Sequence, residues 1–415
     1  MNRNSLYPIY FVTIVVLVLT ACNHSNIRFS EHLIDHEYEY AYGLAAVDLD
    51  GDGDLDLTSS DIRAGGENSC LFWYRNEGKG EFHQFVIGQN HSGWFERHAI
   101  GDINADGRPD VLVVDNRDGR LLWFANNPDP AAGPWQDHVL TTDCPRAYDV
   151  VLVDLDGDGD LDAASSGYSS GQVNWYENPG ANGWAQPWPR HTIDHAMPEA
   201  RTIRAGDFDR DGDVDLLASA AAQPDNSTGL QSHLVWYENP GRPALKPWKT
   251  HIIEGRIRGA IHGHPVDMDN DGDLDVVMAF GMRRALVDQI NRHAVVWYED
   301  TGSPGQGQSW QRHRIATLPG AHEAFAVDLD ADGDLDVVAT AWEKGHGKVV
   351  WYENNSDPRH AWTPHILKES WDSAGQVIAA DLTGNGRPDL AATADDGANS
   401  NAITNELRWW QNKSR

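Results

Sequence analysis

The sequence predicts an all-β chain: seven four-stranded antiparallel blades closed into a β-propeller, with the N-terminal strand completing the last blade. Three repeated patterns carry this reading. An Asp-rich nine-residue loop reads DLDGDGDLD at 48–56 and again at 154–162, with variants at 102–110, 207–215, 267–275, 328–336 and 381–389. Successive loops start 54, 52, 53, 60, 61 and 53 residues apart, a period that suits one blade per repeat. A W-Y-E-N motif follows each loop, at Trp175, Trp236 and Trp351, with relatives at Trp73, Trp123, Trp297 and Trp409. The third pattern, aromatic-x-x-His-x-aliphatic, occurs at Trp135/His138, Trp188/His191, Trp248/His251, Trp310/His313 and Trp362/His365. Blade 1 has Phe85 where the histidine is expected.

The seventh copy of that third pattern is N-terminal, at Phe29 and His32. The phase of the repeat therefore sends the first strand into the last blade, beside Trp409 and Trp410, and closure leaves no open sheet edge. Each blade then reads in order. An inner strand enters the Asp loop and a second strand leaves it. A variable loop, the W-Y strand and an outer W-x-x-H strand follow. Alternation and β-branched content agree with strands throughout.

Ahead of the repeats, Arg3 precedes an apolar run from Ile9 to Leu19, too short to span a bilayer comfortably. It ends Leu19-Thr20-Ala21-Cys22, which resembles the lipobox of bacterial lipoproteins. The resemblance implies a signal peptide over 1–21, a lipidated Cys22, a tether to 28, the propeller over 29–412 and a tail over 413–415. It implies a cell-envelope protein held at a membrane, the outer one in a Gram-negative cell because Asn23 follows the cysteine. Export permits a disulfide between Cys70 and Cys144, though their spacing does not demand one.

The net charge of −31 looks like a solvating chain until the acids are located, since thirty of the 63 Asp and Glu residues fall in the seven loops. A hard divalent cation takes six to eight oxygens. Loop positions 1, 3 and 5 supply side-chain oxygens, the glycine at 6 allows the turn, position 7 gives a carbonyl, and Asp at 9 closes the shell. In order, positions 1, 3, 5, 7 and 9 are Asp48, Asp50, Asp52, Asp54 and Asp56; Asp102, Asn104, Asp106, Arg108 and Asp110; and Asp154, Asp156, Asp158, Asp160 and Asp162. They continue as Asp207, Asp209, Asp211, Asp213 and Asp215; Asp267, Asp269, Asp271, Asp273 and Asp275; and Asp328, Asp330, Asp332, Asp334 and Asp336. The last set, Asp381, Thr383, Asn385, Arg387 and Asp389, is poorer in carboxylates. Six to seven structural Ca2+ ions are expected, partly relieving the charge. No basic stripe with interleaved aromatics occurs, so nucleic acid is not an expected partner.

The D-x-D-x-D-G-x-x-D loops resemble those of the FG-GAP/VCBS propeller repeats and of integrin α-subunit propellers, without the Phe-Gly…Gly-Ala-Pro signature. The resemblance spans residues 29 to 412 and implies the fold and the calcium. At the level of fold alone, propeller polysaccharide lyases and the aldos-2-ulose dehydratase propeller are similar too.

Residues repeated in every blade are expected to pack between strands, so most of the seventeen tryptophans and the outer-strand histidines (His32, His138, His191, His251, His313, His365) read as structural. Function is sought where the repeat breaks. Segments entering the inner strands share the face opposite the Asp loops with the variable loops. They carry Tyr42, Trp94, His98, Arg146, Tyr148, Asp149, Arg201, His262, His264, His322, Glu323 and Trp371. The variable loops add Arg283, Arg284, Trp342, Lys344 and Asp396. An axial funnel on that face would recognise glycans, with Tyr42, Trp94, Arg146, Asp149, Trp342 and Trp371 as ligand contacts. Alternatively it would be a lyase or dehydratase acting on acidic or oxidised sugars by β-elimination, with His262, His264, Tyr148, Arg201, His98, His322 and Glu323 as candidate catalytic residues. A protein-docking scaffold is the third reading. His262-Gly-His264 with His322 and Glu323 could also hold a transition metal. A monomer is expected.

Overall fold

A computed structural model describes residues 27–181, 183–221, 233–281, 293–303, 305–343, 345–395 and 405–414. Cys22, Arg283, Arg284, Lys344 and Asp396 lie outside the described residues. The chain forms seven four-stranded antiparallel sheets. Blade 1 runs outward through Ala41–Val47, Asp56–Asp61, Ser69–Asn76 and Phe82–His91, and the other blades repeat this order. The last blade is completed from the other end of the chain. Phe29–Asp35 pairs with Glu406–Asn412, placing Phe29 opposite Asn412 and His32 opposite Trp409. The closure expected from the phase of the third motif is therefore present. Among the described residues the helical elements are the short turns Ala64–Gly66 and Pro130–Ala132.

Burial follows the layering. Second strands such as Asp110–Asp115 and Asp275–Phe280 are buried at every position, because a neighbouring blade covers each face. Their Val, Ala, Leu and Ser side chains suit a pleated surface with no exposed side. Outer strands alternate burial and exposure, as Trp310–Ala316 does.

The W-Y and W-x-x-H motifs meet across two strands. The His32–Trp409, Trp123–His138, Trp175–His191, Trp236–His251, Trp297–His313 and Trp351–His365 rings stack with centroids 4.0–4.7 Å apart. In blade 1 Phe85 takes the histidine's place, 4.9 Å from Trp73. Glu238, Glu299 and Glu353 of the W-Y-E-N motif fix the histidine edges at 2.6–2.7 Å. The structural reading of these histidines holds.

The motif asparagine joins blades. Asn239 donates to the Val214 carbonyl of its own blade at 3.0 Å and to the Leu155 carbonyl of the blade before at 2.7 Å. Asn126 reaches Leu49, Asn178 reaches Ile103 and Asn412 reaches Leu329 in the same way, at 2.9–3.0 Å. Asn76 reaches Leu382 at 2.8 Å, so the latch also spans the ring closure. Blade 5 has Asp300 in this seat, and its Oδ2 is buried without a partner. Cys70 and Cys144 are both buried free thiols, so no bridge forms between them.

Asn239→Leu strips both donors and leaves two buried carbonyls unpaired. It is expected to cost about 2–3 kcal/mol, read as a lower denaturant midpoint at unchanged m-value. A loss below about 0.5 kcal/mol would show that the latch does not hold blades together.

Candidate functional site

Two faces offer sites. On the first, each Asp loop is wound around its leading carboxylate. Asp48 accepts the Gly51 and Gly53 N–H groups at 2.8 and 3.0 Å, and Asp52 accepts that of Asp54 at 2.9 Å. The position-6 glycines have φ between +80° and +96°, as at Gly53, Gly159 and Gly386, with open space around all but Gly272, which the end of the Arg210 side chain approaches. Conformation, not crowding, therefore requires glycine there. Carboxylate oxygens of Asp48, Asp50 and Asp56 lie within 4.8 Å of one another, as do those of Asp154, Asp156 and Asp162, and of Asp207, Asp209 and Asp215. Asp267, Asp269 and Asp271, and Asp328, Asp330 and Asp332, form two further groups. Several carboxylates converging on a tight turn is a donor set compatible with calcium.

The ninth aspartate does more than the sequence suggested. Asp56 is buried and accepts the Leu49 N–H at 3.0 Å and the Asn76 N–H at 2.8 Å. The same pair of bonds recurs at Asp110, Asp162, Asp215, Asp275 and Asp336, at 2.7–3.2 Å. In the last loop Thr383 Oγ1 replaces one donor, at 3.2 Å from Asp389. Without a cation, burial pushes Asp56, Asp110, Asp162 and Asp215 up to about 7, and Asp275 and Asp336 to about 8, with the backbone bonds pulling the other way. The repetition of D at position 9 beside N in W-Y-E-N was the available signal.

The opposite face differs from the expected funnel. The first halves of the innermost strands are buried, while the second halves, such as Ala45–Ala46–Val47 and Val151–Leu152–Val153, are half-buried and apolar. A polar plug closes the axis at the entry end. Arg97 of blade 2 is ion-paired to Glu323 of blade 6, both at most 2% exposed. Glu323 also meets His264 Nε2 at 3.0 Å. The Tyr42 and Tyr148 hydroxyls bond each other, and Tyr148 lies 3.3 Å from His262 Nε2. Asp149 is paired with Arg204 and accepts the Val150 and Ile203 N–H groups. It belongs to the wall, not to a ligand surface.

Electrostatics fit a plug. Burial holds Glu96 up at about 8 against the pull of Arg201, Arg146 and Arg97. Burial and the Arg97 charge lower His98 and His322 to about 3 and hold His262 well below the ordinary imidazole range. Arg97 with the two histidine contacts depresses Glu323 against the effect of burial.

Several expected site residues are therefore placed elsewhere. His262 is 0% exposed and stacks 5.5 Å from Tyr148, out of reach of a polymer. His98 bonds Thr58 Oγ1 at 2.7 Å between blades 1 and 2. Trp371 is 2% exposed, donates to Glu406 at 2.9 Å and packs on Trp410 in the core of the last blade. Around the residues of the transition-metal reading, Glu323 is held by Arg97 and His264, and the described groups whose ligand atoms converge are all in the Asp loops.

What remains at the surface is a rim. Trp342 lies 5.9 Å from Tyr42, 6.3 Å from Tyr40 and 4.8 Å from His322. Across the axis, Arg201 sits between Tyr148 and Tyr168, 4.3 and 4.0 Å from their centroids. Arg146 covers Trp94 at 5.2 Å and Tyr168 at 5.9 Å. The Arg201 Nε is buried with no hydrogen-bond partner.

The plug generates a test. Arg97→Met leaves Glu323 buried with less compensation and is expected to cost about 3–5 kcal/mol, whereas Arg97→Met with Glu323→Leu recovers most of that. Urea unfolding at fixed calcium reads both, and equal costs for the single and double variants would contradict the pairing.

The chain matches the FG-GAP-like repeat family over residues 48–113, 102–165, 154–218 and 328–392, together more than half its length. Cartilage acidic protein 1 of Xenopus tropicalis is 26% identical over 190 residues, 44% of this chain, and the chain spans 28% of that relative. Among solved structures, the V. cholerae biofilm matrix protein Bap1 aligns over 90% of this chain and 77% of its own, with 13% identity and a TM-score of 0.43. With its seven blades and repeated Asp loops, this chain belongs to the FG-GAP-like repeat family.

Proposed function

We propose that the protein is a calcium-stabilised, envelope-anchored propeller that recognises glycans on the rim opposite its Asp loops. The observation that supports this best is the broken symmetry of that rim. The Asp loops and Trp–His stacks recur round the ring, whereas partly exposed Trp94, Tyr168 and Trp342 gather with Arg146 and Arg201 at the axis. Aromatic faces stack on the apolar faces of sugar rings, and guanidinium N–H groups bind hydroxyls or acids without large rearrangement.

Anchoring rests on the Leu19-Thr20-Ala21-Cys22 lipobox and calcium on the converging loop carboxylates. Cys22 stands only a few residues before the strand Phe29–Asp35, so a lipid there would hold the ring close to its membrane. The β-elimination reading fits less well. Of its candidate proton acceptors, His262 and His322 are buried and His264 is held by Glu323, and burial raises Tyr148 away from an activated phenolate. A protein partner on the same rim is what a failed glycan screen would favour.

The test is a glycan array probed with the full chain in calcium, followed by calorimetry on the strongest hits. Trp342→Ala and Tyr168→Ala are each expected to weaken binding tenfold or more, with unchanged melting temperatures. Absence of any glycan signal would refute the reading, and a rise in unsaturated-uronate absorbance on incubation would replace it with the lyase.

A further inference from the structure

The rim is not equally built all round, and its charge is unusual for this chain. Around an axis carried by a protein of net charge −31 stand Arg97, Arg146, Arg201 and Arg204. Arg97 and Arg204 are neutralised by Glu323 and Asp149. The nearest ion-pair contact of Arg201 is a long one, 3.7 Å to Glu199, though its side chain is only 7% exposed. Arg146 makes no ion pair among the described residues. A buried guanidinium without a close counter-charge costs several kcal/mol unless something else compensates it. Stacking between Tyr148 and Tyr168 returns part of that but covers the faces of the guanidinium. Its in-plane Nε–H is left without an acceptor.

Backbone conformation marks the same place. The residue entering the innermost strand is left-handed in five blades. Blades 5 and 6 use Gly259 and Gly320, with φ of +73° and +70°, and blade 7 uses Ser373 at +51°. Blades 3 and 4 put Arg146 and Glu199 there, at +56° and +54°. Large charged side chains in this region are uncommon, and such strain is found most often at functional sites. Both flank Arg201. Beside them a cleft of about 380 Å³ opens between blades 3 and 4, lined by Tyr168, Ser169, Ser170, His195 and Glu199 among others.

We infer that the rim at blades 3 and 4 binds the anionic group of an acidic sugar, a uronate carboxylate or a sulfate ester. Arg201 and Arg146 are its cationic partners, Tyr168 is the stacking platform, and the adjoining cleft holds the next sugar unit. Arg forks match planar oxyanions through paired N–H bonds. A neutral sugar would leave the two cations with only the long Glu199 contact and the partly countered Glu96 carboxyl for compensation. The inference rests on the glycan reading above and adds the ligand's charge and location.

The experiment compares the full chain against oligosaccharides from polygalacturonate, alginate and sulfated galactan, each beside its carboxyl-reduced or desulfated counterpart, by calorimetry in calcium. At least one anionic oligosaccharide is expected to bind tenfold or more tighter than its neutral counterpart. The carboxylate and sulfate arms say which anion is taken. Arg201→Gln should bring that ratio to within twofold of unity. Arg146→Gln, at a half-buried position less able to disturb folding, should lower it at least threefold. Equal affinity for anionic and neutral members overturns the inference and leaves glycan recognition standing, as does an anion preference that survives both substitutions. If no oligosaccharide of either kind binds, the glycan reading fails and this inference with it.

Discussion

In every blade a buried aspartate at loop position 9 holds the structure together from inside. One carboxylate oxygen accepts the N–H of the W-Y-E-N strand's last residue, as Asn76 gives to Asp56 and Asn412 to Asp389. In six blades the other oxygen holds the second residue of the same loop. Fixing that strand end fixes the asparagine side chain that latches the preceding blade. A single acid thus links loop geometry, blade register and ring closure. It also creates an electrostatic problem, since each such acid sits at the root of a loop carrying up to four more. A cation in the loop would serve both needs, because it would favour the ionised form that the backbone N–H groups require.

The two faces divide the work. On the Asp-loop face all seven blades obey the same rule, and departures are modest, such as Asp300 in blade 5 and Thr383 in blade 7. On the other face the inner strands share little beyond an alanine at their start, replaced by Phe95 in blade 2. Arg97 is paired across the axis with Glu323 of a distant blade, and Arg204 with Asp149 of the neighbouring one. That arrangement makes a plug, and the proposed recognition would then fall to the aromatic and arginine rim. His262, fully buried, and His264, about a third exposed, both hydrogen-bond within the plug.

How much of this was readable before the structure depends on the kind of signal. Repeats are local patterns multiplied, so blade number, strand order, the Trp–His stacks and the closure through Phe29 and His32 could all be inferred from spacing. The plug could not. Arg97 and Glu323 are 226 residues apart, and nothing in a periodic pattern says which inner-strand residues meet across a ring. Trp371 was assigned to the rim because it lies in a segment entering an inner strand. Its indole instead turns to Glu406 and Trp410, a choice set by packing in the closing blade. The left-handed Arg146 and Glu199 were hidden for a related reason, since the repeat position they fill is glycine in only two blades.

The central claim is that the Asp loops need a cation for the ring to hold. Calorimetric melting of the full chain, stripped with chelator and then titrated with calcium, tests it most directly. A single site at one hundred times its dissociation constant adds about 2.7 kcal/mol. Several such sites in a chain of this size should raise the melting temperature by roughly 10 °C or more. Coincident melts with and without calcium would contradict the account, leaving the buried aspartates to be explained by their backbone bonds alone.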